Sequence, residues 1–394
     1  MDKRLLTLAL GMFALGTDSF VIAGVLPQIS HSFHVSIGAA GQLTTVYALT
    51  YALLSPAIAA AAAHIQRKRL MLSGLGIFIL GNLATAWAPT FALALVARAA
   101  AGLGASMYAP TAQGSAAVIV PPEKRGFALA IVIAGLTSST ALGSPIGTVI
   151  GGLGDWRWTM VFVSSISAIA LIGITAFLSH IPMPPAITLK QRLAPFADRS
   201  VGLTLLTTLL VQSGTFIIYT YFSVVFDRAT GGNPVILGAL LVLFGCFGTI
   251  MNLTGGRLID VIGGRKVLAT VLVVLMVVMA SLSWTSSTLI TAIIAIAFFG
   301  AASWGQLAPQ QHSLVSLAPT AAPIVLGLNT SATYFGVATA GLIGAAGLKV
   351  VGAHDLGFVS FLFVAAALLA SKIAQRVITT RAAKQESAGA RAIA

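Results

Sequence analysis

The chain has 394 residues, of which 57% are hydrophobic and only 8% charged, with a mean hydropathy of +0.98. That balance excludes a soluble globular domain. The net charge of +13 comes from basic residues scattered between apolar runs, which excludes the single solvated basic face that nucleic-acid binding requires.

The first apolar run spans residues 5–27 and follows Lys3 and Arg4. About 23 mostly apolar residues exceed the length of a signal-peptide core, so the run reads as an uncleaved first span. Eight of the nine acids (Asp2, Glu123, Asp155, Asp198, Asp227, Asp260, Asp355 and Glu386) fall in polar connections or termini. Asp18 alone lies inside an apolar run. At ~1.5 Å per helical residue it sits deep in the hydrocarbon, where an ionisable group marks a functional site by default.

Further apolar runs cover residues 41–63, 70–88, 91–118, 126–150, 158–180, 201–226, 235–256, 267–284, 288–313, 323–348 and 355–375. Twelve membrane-spanning helices are expected, with no room for a folded domain outside the bilayer. The longest connection, residues 181–200, carries Pro182, Pro184 and Pro185 and divides the chain into two sets of six. The expected organisation is a six-helix bundle over 1–180, a linker over 181–200, a second bundle over 201–376 and a tail over 377–394. The lone Cys246 lies in an apolar run, so neither a disulfide framework nor a cysteine metal site is expected.

Lys and Arg set the orientation. Eighteen lie on the side where the odd-numbered helices begin, at the termini and in the loops between helices 2 and 3, 4 and 5, 6 and 7, and 8 and 9; three (Arg157, Arg228 and Lys349) lie on the other side, and Arg98 is inside the fourth run. By the positive-inside rule both termini are cytoplasmic. Two short segments recur in the second half. Gln66-Arg67-Lys68-Arg69-Leu70 returns as Gly264-Arg265-Lys266-Val267-Leu268, and Ala109-Pro110 returns as Ala308-Pro309. Repeated halves with a site between them are a common transporter plan. The expected fold class is therefore an all-α integral membrane protein of twelve helices in two pseudo-symmetric six-helix bundles.

Several motifs in order then point to one family. Gly256-x-x-x-Asp260-x-x-Gly263-x-Arg265-Lys266 lies between helices 8 and 9, and Arg98-x-x-x-Gly102 lies in helix 4. Gly143-Ser144-Pro145-Ile146-Gly147-Thr148 in helix 5 precedes Trp156-Arg157. Pro309-Gln310-Gln311, Ala318-Pro319 and Leu328-Asn329-x-Ser331-x-x-Tyr334-x-Gly336 follow in helices 10 and 11. Over some 320 residues the sequence resembles the major facilitator superfamily. Within it, the resemblance is to the drug:proton antiporter branch with twelve spanners, near arabinose-efflux permeases and chloramphenicol exporters.

The resemblance implies conformational roles for Arg67, Lys68, Gly143, Pro145, Gly147, Asp260, Gly263 and Arg265, and proton coupling at the Arg98 motif. Two positions depart from the pattern. The loop Ala63-His64-Ile65-Gln66-Arg67-Lys68 lacks the acid and glycine that the motif expects, leaving Asp260 as the candidate latch. In helix 1 Ser19 stands where many relatives carry a glutamate, one residue and about 100° around the helix from Asp18.

Arg98 lies ~10 Å and Asp18 ~14 Å below the same surface, so they share a depth. Placing an ionised Asp at a helix centre costs about 2.5–3.5 kcal/mol, which leaves pairing or proton uptake as the ways to reduce that cost. Asp18 is the expected proton carrier, with Arg98 modulating it. The alternative is a static Asp18–Arg98 ion pair with a structural role.

In proteins of this resemblance helices 1, 4, 7 and 10 line the cavity. The candidates are Met107 and Tyr108 of helix 4, Gln212, Phe216 and Tyr219 on one face of helix 7, and Trp304, Gln310 and Gln311 of helix 10, joined by Asn329 and Tyr334 of helix 11. Aromatic surface with uncharged hydrogen-bonding groups suits a neutral, partly apolar ligand. The glycines and Pro145 of helix 5 permit close helix approach and a bend.

Six scattered histidines lack metal spacing, and no phosphate loop or nucleophile triad is present. No enzyme activity, cofactor or metal is expected. The expected partners are a small-molecule substrate, protons and the lipid bilayer, with no nucleic acid, and the chain is expected to act as a monomer. The function expected is proton-coupled export of small neutral or lipophilic compounds, such as phenicols, across a bacterial inner membrane. Export of sugars or amino-acid metabolites, and a non-transporting membrane sensor, are the alternatives.

Overall fold

The computed structural model describes residues 2–62, 64–178, 181 and 188–393; Ala63, His180 and the linker prolines Pro182, Pro184 and Pro185 lie outside the described residues. Twelve helices long and apolar enough to span a bilayer run through them. These are α1 (Lys3–Phe33), α2 (Ile37–Ala61), α3 (Arg67–Ala86), α4 (Phe91–Ile119), α5 (Arg125–Leu153) and α6 (Arg157–Phe177) in the first half. The second half holds α7 (Arg199–Thr220), α8 (Pro234–Ile262), α9 (Gly264–Thr285), α10 (Leu289–Leu317), α11 (Ala322–Val350) and α12 (Leu356–Ile393, apolar to Thr380).

Helix ends follow local chemistry. Asp2, Thr90, Asn233 and Thr288 accept backbone N–H bonds as N-caps of α1, α4, α8 and α10. Gly263, with φ of 86°, turns the chain between α8 and α9 in a region closed to most side chains. In the linker, Thr188 and Gln191 form a reciprocal capping box for the short helix Leu189–Leu193. From there Arg192 donates to the Ala59 carbonyl at 3.0 Å, near the end of α2. Lys68 donates to the Thr175 and Leu178 carbonyls at 2.9 and 2.6 Å, covering the negative end of α6.

The two halves use the same packing plan. In the first half α1 packs on α5 and α6, α2 on α4, and α3 on α4 and α6. In the second half α7 packs on α11 and α12, α8 on α10, and α9 on α10 and α12. Advancing each pair by six helices converts one set into the other.

Two helix pairs join the halves, α2 with α11 and α5 with α8. On α2 the contacts run from Gly38, beside Ala345, through Gln42, whose Nε2 donates to the Gly341 carbonyl at 3.2 Å, to Tyr51, stacked on Tyr334. On α5 they run from Gly152, beside Pro234, through Val149, beside Gly238, to Ala141, beside Gly245. The contacts run from the end remote from the Lys/Arg-rich loops to about the middle of these helices. Toward the Lys/Arg-rich end the halves diverge. A Cβ on Gly126 of α5 or Gly256 of α8 would meet nothing within 4 Å, and Ala130 and Asp260 are exposed. At that end the facing positions of α5 and α8 are therefore open.

Candidate functional site

Small residues lock α1 to α5. Gly143 lies against Thr17, Gly147 against Val21 and Gly151 against Val25, a four-residue step on both helices. Gly16 and Gly24 reciprocate against Ser139 and Thr148. Near the middle, α5 holds a π turn over Ser139–Gly143, where the Ser144 N–H bonds to the Ser139 carbonyl. Pro145, which has no N–H of its own, follows it.

With that face of α1 committed to α5, Asp18 points toward α3 and α4. Its Oδ1 accepts a bond from Arg98 Nη1 at 2.7 Å, and the two side chains are 0% and 1% exposed. The same Arg98 nitrogen donates to Asn82 Oδ1 on α3 at 3.1 Å, and Arg98 Nε reaches the Leu43 carbonyl of α2 at 3.5 Å. The guanidinium lies 4.6 Å from the centre of the Tyr47 ring, also on α2. Four helices thus share one cation, which cannot shed its charge. Asp18 Oδ2 is buried and meets no hydrogen-bond partner among the described residues. Among the described residues it is the one buried carboxylate oxygen without a partner.

Two residues along α1, and about 200° around it, Phe20 points the opposite way. Its ring stacks on Phe216 with centroids 6.0 Å apart, meets Tyr219 edge-on at 5.4 Å and lies 6.1 Å from Trp304. Tyr219 also contacts Phe244 at 5.1 Å, and its hydroxyl is 3.4 Å from Ser144 Oγ in α5. Trp304 covers Gly248. One turn of α1 therefore presents a carboxylate to the first half and an aromatic surface to the second.

The remaining sequence candidates are distributed unevenly. Tyr108 is fully buried between α1 and α4, where its hydroxyl donates to the Leu8 carbonyl at 3.0 Å and its ring covers Gly11. The Met107 Cβ faces Gly74 of α3. The Gln212 Cβ packs against Gly336, and Asn329 Oδ1 accepts from Thr208 at 2.7 Å, so both sit between α7 and α11. Gln310 is buried, with Nε2 unpartnered among the described residues. Gln311 is exposed, two turns from Trp304 on the same face of α10, toward the open end. Tyr334 stacks on Tyr51 with centroids 3.9 Å apart, across the α2–α11 contact.

Among the conformational candidates, Arg67 is half-buried, with Nη1 unpartnered among the described residues. Asp260 and Arg265 are exposed and form no ion pair there. Phe20, Tyr47 and Asn82 escaped the sequence reading. An aromatic or amide in an apolar run carries no local mark, and only Asn82, a lone amide in α3 at the depth of Arg98, offered a signal.

Comparison with known proteins agrees with this architecture. The family description "Major Facilitator Superfamily" matches residues 8–341. The inner membrane transport protein YdhP of Escherichia coli O157:H7 is 32% identical over 373 residues, covering 94% of each chain. The MFS-type transporter YbcL of Bacillus subtilis (strain 168) is 29% identical over 368 residues, covering 93% of this chain and 94% of its own. Among solved structures, a D-xylose-proton symporter superposes with a TM-score of 0.76 at 16% identity, covering 94% of this chain and 96% of its own. Fold, internal repeat and sequence agree: this chain belongs to the Major Facilitator Superfamily.

Proposed function

We propose that this transporter is a proton-coupled antiporter that exports small neutral or lipophilic compounds, phenicols among them, from a bacterial cell. The observation that carries the reading is the buried Asp18–Arg98 pair, with Asp18 Oδ2 unpartnered, one helical turn from the Phe20, Phe216, Tyr219 and Trp304 surface. Asp18 is the coupling acid. Ionised, it neutralises Arg98; protonated at Oδ2, it leaves that cation to Asn82, the Leu43 carbonyl and the Tyr47 ring.

The aromatic surface offers an apolar, uncharged seat. A substrate there competes with protonation through α1, and such competition is reciprocal: each ligand weakens the other by the same factor. The basic loops support cytoplasmic termini, and the open α5–α8 end then faces inward, where an exported compound is collected. Alternating access follows as the halves rock about the site. One acid at the midplane corresponds to one proton per cycle, and the chain works as a monomer.

The experiment is growth inhibition in an efflux-deficient host across phenicols, lipophilic cations, dyes and toxic sugar or amino-acid analogues. Hosts carry the native chain or Asp18→Asn at equal expression. Protection against phenicols or lipophilic compounds by the native chain alone is expected. Protection only against sugar or amino-acid analogues would replace the substrate class, and equal protection by Asp18→Asn would remove Asp18 as carrier.

A further inference from the structure

Asp18 and Arg98 both belong to the first half, so their pairing by itself cannot bias how the two halves sit. A transporter that couples a proton to alternating access requires an element that feels the ion pair and also touches the other half. Among the described residues, one side chain meets both conditions. The Tyr47 ring of α2, 1% exposed, lies 4.6 Å from the Arg98 guanidinium carbon on one side. On the other it meets Tyr334 of α11 edge-on, with centroids 6.4 Å apart. Tyr334 in turn stacks on Tyr51, one helical turn further along α2. The Tyr47 hydroxyl is tied back to α1, accepting from Ser19 Oγ at 3.3 Å, next to Asp18 in sequence.

We infer that Tyr47, with Tyr334 as its partner across the α2–α11 contact, is the positioning residue that converts the protonation state of Asp18 into a preference for one arrangement of the halves. The inference rests on the reading of Asp18 as proton carrier. While Asp18 is ionised, Arg98 divides its interactions between the carboxylate and the ring. When Asp18 takes a proton the cation loses its counter-charge, and the face of Tyr47 becomes a larger share of what holds it. The ring is then drawn toward α4, and its edge contact with Tyr334 changes with it.

Among the described residues the surroundings contain no competing charge. The titratable side chains about Asp18 are Arg98 from α4, Tyr47 from α2 and Tyr334 from α11. α3 contributes the neutral Asn82, and the charged residues of α5 and α7, Arg125 and Arg199, stand at the Lys/Arg-rich ends of their helices. The ring, rather than the hydroxyl, is the operative part: the cation and the Tyr334 edge both engage carbon, and the hydroxyl contact is the long one.

The test needs no substrate. Spin labels on Ala130→Cys and Gly256→Cys, with Cys246 replaced, report the separation of α5 and α8 at the open end, read as distance distributions in nanodiscs. In the native background the ratio of the two arrangements shifts on the order of tenfold between about pH 6 and about pH 8. Tyr47→Leu and, independently, Tyr334→Leu hold that ratio nearly constant, while Tyr47→Phe, which keeps the ring, restores the shift. Asp18→Asn abolishes the shift. A full shift in both leucine variants, with Asp18→Asn silent, overturns the relay and leaves the proton site standing. A full shift in Asp18→Asn overturns the proton site itself.

Discussion

Asp18 and Arg98 meet at 2.7 Å in the middle of the first six-helix bundle, from helices eighty residues apart, with both side chains closed to solvent. Each is costly alone at that depth, and together they are tolerable because α2 and α3 supply the remaining partners of the guanidinium. The pair is the only acid–base contact within the spanning region among the described residues.

Breaking the pair has an asymmetric cost. Asp18→Asn strands an arginine that cannot neutralise itself and destabilises the fold by about 3–5 kcal/mol. Arg98→Met strands a carboxylate that takes up a proton, and costs less. The double variant is less damaging than the sum of the two by about 1–3 kcal/mol. Reversible unfolding in detergent, run as a double-mutant cycle, measures all three; strict additivity would contradict a coupled pair.

The α1–α5 seam predicts where small residues are obligatory. A Cβ on Gly135 would approach the Ala9 carbonyl carbon at 2.8 Å, and one on Gly147 the Val21 Cγ2 at 2.5 Å. Gly135→Ala meets backbone that cannot rotate away and destabilises by about 1–3 kcal/mol. Gly126→Ala, on the same helix with nothing within 4 Å, leaves stability unchanged or raises it by up to about 1 kcal/mol. Thermal unfolding of the purified variants separates them.

The α5–α8 contact has a register. Gly152 lies beside Pro234 and Ala141 beside Gly245, so a step down one helix matches a step up the other. Continued to the open end, the same register sets Ala130 opposite Gly256 and Gly126 opposite Asp260, beside Arg125. Closure of that end therefore brings the Asp260 carboxylate to the positive start of α5. A wedge at the opposite end, Gly341→Trp in the α2–α11 contact, should raise disulfide yield between Ala130→Cys and Gly256→Cys. An unchanged yield would contradict the register.

At the start of α1, outside the span, Asp2 caps the Arg4 N–H at 2.9 Å and pairs with the Arg4 guanidinium at 2.7 Å. That side-chain bond, with the neighbouring charge, holds the Asp2 carboxyl below its ordinary value of 3.8. A lowered folded value means the cap contributes fully above the unfolded value and is lost as pH falls through the folded one. Hydrogen exchange at the first turn of α1 should rise only below about pH 4 in the native chain, and at all pH values in Asp2→Ala.

How much of this was legible in the sequence follows from where chemistry stands out against its surroundings. Asp18 and Arg98 were visible because a charge in an apolar run has few bland explanations, and the shared depth of the two followed from helix rise alone. The twelve spans were visible for the same reason, though the run over 201–226 breaks at Tyr221 into further short turns. Phe20 and Tyr47 were not visible. Their importance lies in which neighbour each faces, and that depends on how α1 is rotated against α5 by the glycine seam. Tyr334, taken from the sequence as a cavity residue, lies in the contact between halves, a distinction that only the α2–α11 register makes.

The central claim is that Asp18 carries the coupling proton. Its most direct test is transport into proteoliposomes, with labelled chloramphenicol or the strongest hit of the growth panel as probe, for the native chain and Asp18→Asn. Two modes are compared: accumulation driven by an imposed pH gradient, and exchange of labelled for unlabelled compound with no gradient. The account predicts that Asp18→Asn keeps the exchange and loses the gradient-driven accumulation. Gradient-driven accumulation at the native level in Asp18→Asn would contradict it.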